Sequence, residues 1–405
     1  MSNLVYLILL VLPTYLIKFN LFGLPINFLE IVIWIVFLIF LIFSFIRKDF
    51  SKKIIVFLKN PFFIPWILFF SAGIISIFFS PDKRISLGIF KAYFIDSSMF
   101  IFMLLSLIKT KEELKKCFFA LLTSALVLSF VGISQYLFYP QYLQDGRIKA
   151  FFSSPNYLSL YLTPLIFLIP IMISKNGKEK LLPWVCLVVI AATIFLTYSR
   201  GAWLGLILGA IVFLGIYFIQ KVRSKKVKII IPILVLLLAI SSLPFITKGV
   251  YNLGIVSTNR IYTSDNVRKE IWTTSSEILS KNWLFGVGLG NFQKYFGDYT
   301  KDRINYPEYI TPNALTPHNI ILNIWLQTGL LGIISFIVFL FIFFIKCFRN
   351  IKANPVINVI LISSMVAILG QGLVDSSIWK NDLIIIYYFI LFSSVIISNS
   401  KIKEN

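Results

Sequence analysis

Apolar and polar positions along this chain fall into blocks rather than into an alternation. Long, nearly uncharged stretches are separated by short clusters of Lys, Arg, Asn and Gly. A hydrocarbon layer about 30 Å thick takes roughly 20 helical residues to cross. Runs of about that length occupy 4–20, 28–46, 62–80, 88–108, 117–138, 157–174, 182–198, 203–220, 229–247, 320–346, 355–374 and 383–399. The pattern predicts an all-α integral membrane protein with about twelve transmembrane helices, forming a single polytopic domain over 1–405. Pro13, Pro164, Pro170 and Pro232 lie inside these runs, which a membrane tolerates because neighbouring helices satisfy the freed backbone groups. The run 88–108 is the least apolar, since it holds Lys91 and Asp96. These two either pair within their helix or line a cavity.

Between the ninth and tenth runs lies a polar segment, 248–318, whose 71 residues make it too long for a connector. Within it, 266–281 (NVRKEIWTTSSEILSK) reads as an amphipathic helix with Asp265 as its N-cap. Val267, Ile271, Ile278 and the adjacent Leu279 form its apolar face. This helix is expected to lie over the membrane surface and cover a cavity. Further on, Gly286-Val-Gly-Leu-Gly290 has the wrong spacing for a dinucleotide loop and follows no strand, so it reads as a tight turn.

Composition strengthens the membrane reading. The chain is 58% hydrophobic and only 14% charged, against about 25% charged in soluble domains, and its mean hydropathy is +0.87. The formal charge of +21 sits in short clusters between apolar runs. A nucleic-acid partner would require a basic face on a soluble domain, so none is expected. The clusters set orientation instead. Alternate connections (47–59, 109–116, 175–180, 221–228, 346–352 and the tail) hold 22 Lys and Arg, and the opposite set of short connections holds seven. Both termini are therefore expected in the cytoplasm and 248–318 outside. The first apolar stretch has no basic region before it and no small-residue cleavage site, so no removable signal peptide is expected. Cys117, Cys186 and Cys347 all map to cytoplasmic helix ends, where disulfides do not form. No internal repeat or matched pair of broken helices points to an inverted-repeat transporter.

Candidate chemistry is sparse. A single histidine rules out a multi-histidine metal site, and no nucleotide-binding loop occurs. What remains is a set of polar residues that the topology places on the outer side. His318 closes the long segment, and Arg268 lies on its helix. Arg200 follows the seventh run in Tyr198-Ser199-Arg200-Gly201. Arg147 and Asn156 (in Ser154-Pro155-Asn156) lie between the fifth and sixth runs, and Asp375 caps the eleventh. Arginines at a membrane interface are costly unless they reach water or bind an anion. At that depth the available anions are lipid-linked phosphates, whose oxygens match the guanidinium fork. A neutral histidine can take a proton from an attacking hydroxyl. Blander roles exist for each. His318 would then be an interfacial loop residue, Arg200 a headgroup anchor, Arg268 part of a solvated helix face, and Arg147 and Asp375 isolated loop charges. Gly329 and Gly332 fit helix packing better than substrate contact.

These residues also carry a resemblance. His318-Asn319, nine residues, then Gly329-Leu-Leu-Gly332 resembles the signature of the O-antigen ligase and polymerase superfamily. The likeness extends to Arg268-x-x-x-Trp272 and to Asn282-Trp-Leu-Phe-Gly286-Val-Gly-Leu-Gly290-Asn-Phe292. It also takes in Ser199-Arg200-Gly201-Ala202-Trp203 and Arg147 with Phe152-Ser-Ser-Pro155-Asn156, spanning roughly 145–335. The resemblance implies a metal-free, cofactor-free, inverting membrane glycosyltransferase of the bacterial inner membrane. It would move a glycan from undecaprenyl pyrophosphate to lipid A core (ligase) or to another repeat unit (polymerase), at the outer face. By resemblance, Arg200 and Arg268 hold the pyrophosphate and His318 assists the acceptor hydroxyl. Arg147, Asn156, Asn319, Asp375 and Lys91 are the further candidates for substrate contact. A related protein-glycosylating branch tends to carry an extra soluble domain after its last helix, which favours the ligase and polymerase branches here. A lipid-linked glycan flippase is the alternative from another class, and would place its charges along a path through the membrane.

Overall fold

The computed structural model describes residues 1–21, 24–173, 181–221, 264–301 and 316–399. Among them, eight helices are long and apolar enough to cross a membrane, and a sharply bent pair makes a ninth span if counted as one. The protein is thus a multi-pass helical membrane protein. The apolar run 229–247 lies outside the described residues.

The first run is not one helix. α1 (Asn3–Leu10) gives way to a 3₁₀ turn over Leu12–Leu16 with Pro13 near its start. An antiparallel hairpin follows, β1 (Lys18–Leu21) against β2 (Leu24–Asn27). Pro13 has no N–H and its ring collides with the carbonyl one turn back, while Pro25 pushes Leu24 into extended backbone. The expectation of an all-helical chain is corrected here by one short hairpin. Asn27 then opens α2 (Phe28–Ile46) with a capping box, its side chain accepting from the Glu30 N–H at 3.0 Å.

α3 (Phe50–Leu58) and α4 (Phe63–Phe78) form the bent pair, turned by 89°. α5 (Lys83–Phe90) runs through a π-helical turn at Lys91–Ile95 into α6 (Asp96–Leu107). α7 (Lys111–Phe138) starts on a second capping box, Thr110 with Glu113. α8 (Pro155–Leu165) continues as a 3₁₀ turn over Ile166–Met172, where Pro164 and Pro170 remove helix hydrogen bonds. α9 (Leu181–Leu196) and α10 (Arg200–Lys221) are joined by a short turn with Tyr198 at φ 46°. α11 (Ser264–Asn282) and α12 (Phe292–Thr300) precede the long α13 (Ile320–Asn350), then α14 (Pro355–Gly372) and α15 (Asn381–Asn399). α15 is the centre of the bundle: 89% of its apolar window is buried, against 33% for α2.

The amphipathic helix expected at 266–281 is α11. Ile271 and Ile278 are buried in a small separate core with Val287, Phe292, Phe296 and Leu326, flanked by Val267 and Leu279. This core fixes α11 and α12 onto the first turns of α13. α13 itself is broken at Gly329, which has φ 68° and ψ −168°. Into that break the 284–290 segment docks, with Leu330 N–H donating to the Leu284 carbonyl at 3.0 Å and Val287 N–H to the Leu326 carbonyl at 2.6 Å. Gly286, also at positive φ, lies opposite. A Cβ on Gly286 would sit 2.3 Å from the Leu326 carbonyl oxygen, and one on Gly329 2.3 Å from that of Leu284. Only glycine allows both the left-handed backbone and this approach. Asn291 completes the joint by donating to Ser80 and Ser86 Oγ at 2.6 and 3.1 Å.

Candidate active site

At one end of the bundle, residues far apart in sequence meet. Asn319 is the N-cap of α13, its Oδ1 accepting from the Ile321 and Leu322 N–H groups at 2.9 and 3.0 Å. Its amide nitrogen donates to the Leu373 carbonyl at 3.0 Å, which ties the start of α13 to the end of α14. That tie sets His318 beside Asp375, with Nδ1 3.2 Å from Oδ1. Asp375 does not cap α14; it lies beyond it, buried, and also accepts from the Ser376 N–H at 2.8 Å. Burial alone raises a carboxyl pKa. Here His318, the Ser376 N–H and the charge of Arg268 more than offset it and hold Asp375 below the usual carboxylate range. An ionised carboxylate only accepts, so His318 Nδ1 is the donor of this pair and Nε2 is left for another partner. The main chain of His318 is also distinctive: φ is 48°, left-handed for a residue with a Cβ. Its carbonyl accepts from Trp272 Nε1 at 3.3 Å, so α11 grips the histidine from the far side.

Arg147 reaches the same place by another route. Asp145 and Gly146, both at positive φ, make a tight turn closed by Gln144 and Arg147. Gln135 on α7 holds the segment after this turn through Ala150, donating to its carbonyl at 2.7 Å and accepting from its N–H at 2.9 Å. The Arg147 guanidinium then donates to the Thr197 carbonyl and to Asn156 Oδ1, each at 2.7 Å. Asn156 therefore orients Arg147. Burial lowers the Arg147 pKa; Asp145 opposes this, and the nearby charges of Arg268 and Arg200 lower it further. The guanidinium groups of Arg268 and Arg200, each from another segment, are thus within electrostatic reach of Arg147. Arg268 also acts on Asp375, which links Arg147 to the His318–Asp375 pair through Arg268.

Lys91 sits apart from this pair. It bonds the buried Glu30 at 2.7 Å and the Pro25 carbonyl at 3.2 Å, and Glu30 accepts in turn from Asn381. Asp96 accepts from Trp34 Nε1 at 2.6 Å, so Lys91 and Asp96 do not pair with each other. Sequence reading passed over Lys380. It lies over the Tyr157 ring, 3.5 Å from the centroid. Burial lowers its pKa first, Asp382 opposes, Lys18 lowers it further and Asp375 opposes again. No local pattern pairs a lysine before α15 with a tyrosine in α8. Among the described residues, no three His, Cys, Asp or Glu side chains come close enough to hold a metal ion.

Comparison with known proteins adds a family context. Residues 185–337 match the family model described as O-antigen ligase. A curated O-antigen ligase of Salmonella typhimurium is 26% identical over 279 residues, covering 65% of this chain and 64% of that protein. An uncharacterized protein of Haemophilus influenzae is 25% identical over 241 residues, covering 55% of this chain and 57% of that one. The chain therefore matches less than two thirds of either relative's length. The family match contains Arg200, Arg268, His318 and Asn319; Arg147, Asn156 and Asp375 lie beyond it and are joined to them by the fold.

Proposed function

We propose that this chain, which matches the O-antigen ligase family over residues 185–337, is a glycosyltransferase moving a glycan from undecaprenyl pyrophosphate to an acceptor hydroxyl, with lipid A core as the acceptor. The observation that carries this reading is the His318–Asp375 contact, with the charge of Arg268 acting on Asp375 and those of Arg268 and Arg200 acting on Arg147. Like charges brought this close disfavour one another, and a pyrophosphate placed among them relieves that repulsion. Each guanidinium offers a fork of donors that matches phosphate oxygens.

In the proposed reaction the acceptor oxygen attacks the anomeric carbon as its bond to the pyrophosphate oxygen breaks, with inversion. The hydroxyl proton passes to His318 Nε2, while Asp375 holds Nδ1 and stabilises the imidazolium that forms. The pyrophosphate leaves with the bond electrons, and the arginines stabilise that charge where it develops. No metal or cofactor is assigned a role. The site end faces the exterior of the bacterial inner membrane, with both termini in the cytoplasm. The lysine-rich ends of α2, α6 and α13 at the opposite end support this orientation. α11 lies along the outer surface above α13.

The direct test incubates purified protein, in EDTA, with undecaprenyl-pyrophosphate-linked glycan and either lipid A core or a second donor molecule. Glycosylated lipid A core is the expected product. A lengthened lipid-linked glycan alone makes the protein a repeat-unit polymerase, and loss of turnover in EDTA restored by a divalent ion removes the arginine mechanism. Sidedness is checked by cysteine labelling: a cysteine at Lys115 is expected to react only from the cytoplasm and one at Asp298 only from outside.

A further inference from the structure

The end of the bundle away from His318 holds a partly open cavity of about 290 Å³. Its walls come from the bend between α3 and α4, the end of α6 and the end of α15. Lys59, Asn60, Lys109 and Asn399 bring polar groups, and Ile55 and Ile108 bring apolar ones. Lys109 anchors its ammonium on the Leu105 carbonyl at the same wall. Four residues on, Glu113 accepts from the Lys109 and Thr110 N–H groups as a helix cap, at 2.8 and 3.1 Å. Two lysines and two amides therefore share one rim.

The setting of that rim identifies the ligand. α3 lies at 89° to α4 and exposes Ile54, Ile55, Val56 and Leu58, while Lys53 turns inward to Asp49 and Ser44. A crosswise helix with apolar residues uncovered and lysines at both ends is built to lie in a membrane interface. The cavity thus sits at headgroup depth, with apolar wall continuing toward the acyl chains. Basic pockets between helix ends at that depth suit anionic lipid headgroups. We propose that this cavity binds the phosphate of an anionic phospholipid, held between Lys59 and Lys109, with an acyl chain along the Ile55 and Ile108 side. The site is separate from the glycan chemistry and needs none of its residues.

The test uses purified full-length protein in detergent, titrated with phosphatidylglycerol or phosphatidylcholine and read by native mass spectrometry. The expected result is preferential retention of phosphatidylglycerol, weakened roughly tenfold or more in the double variant Lys59→Gln, Lys109→Gln. The matched variant Lys52→Gln, Lys115→Gln removes the same charge from the same end and is expected to bind as the parent does. Three results would overturn the proposal: equal retention of the two lipids, equal loss in both double variants, or full displacement by millimolar inorganic phosphate, which would mark a site for a soluble anion. A thermal melt of each variant separates lost binding from lost folding.

Discussion

The two ends of this bundle are both basic, yet they are built differently. At the His318 end the candidate cations are arginines carried on separate segments, and Arg147 is fixed by Asn156 and the Thr197 carbonyl. At the other end they are mostly lysines, many of them exposed, such as Lys52, Lys59 and Lys116. Lysine is a hydrated point charge on a flexible stem, sufficient to bias orientation or to meet a lipid headgroup. Arginine is a rigid fork whose direction matters. The contrast teaches that net charge explains which way the chain sits, whereas held geometry explains where chemistry is done.

The sharpest way to break that contrast is at the base. His318→Ala is expected to cut turnover by roughly 10²–10⁴-fold while donor affinity stays near the parent value. Near-normal turnover in the purified, folded variant would leave His318 without a catalytic role. Next in size, Arg200→Lys or Arg268→Lys is expected to lower turnover on the order of 10²-fold and to weaken donor binding, since the charge stays and the fork is lost. Lys52→Arg at the opposite end should change neither quantity. If donor affinity is untouched in both arginine variants, the phosphate site moves to Arg147 and Lys380.

Much of this end was legible in the sequence. Periodicity located α11 and its buried residues, because one helix face must pack. Helix order and loop charge placed His318, Asp375 and the arginines on one side, because alternate helix ends share a side. The glycines of 286–290 read correctly as a turn. What stayed hidden depends on contacts between distant segments. The Lys91–Glu30 bond spans 61 positions, and no periodicity encodes it. The break in α13 was invisible because 320–346 reads as one unbroken helical run, and only the docked 284–287 backbone makes a left-handed Gly329 favourable. The first run misled for the opposite reason: its composition is apolar, but Pro13 ends its helix early.

Smaller effects sharpen the picture of how the site is held. Gly329→Ala is expected to destabilise the protein by more than about 2 kcal/mol, from the left-handed backbone and the displaced Leu284 carbonyl together, read as a lower melting temperature. Asp375→Asn is expected to remove roughly 1.5–3 kcal/mol. Asp375's pKa is lowered on folding, so its contribution is fully present above about pH 4, near the unfolded value. It fades as pH falls through the lower folded value, and the parent and variant stability curves should converge in that acid range.

The left-handed backbone at His318 has a consequence of its own. A side chain with a Cβ held at φ 48° costs roughly 1–2 kcal/mol that glycine does not incur. This protein therefore tolerates a weak point in its architecture at the residue its proposed chemistry depends on most. His318→Gly and His318→Ala should be equally inactive, yet the glycine variant should resist heat better than the alanine one by about 1 kcal/mol. The bond from His318 to the buried Asp375 offsets part of that backbone cost, so the strain and the hydrogen bond that repays it sit on the same residue.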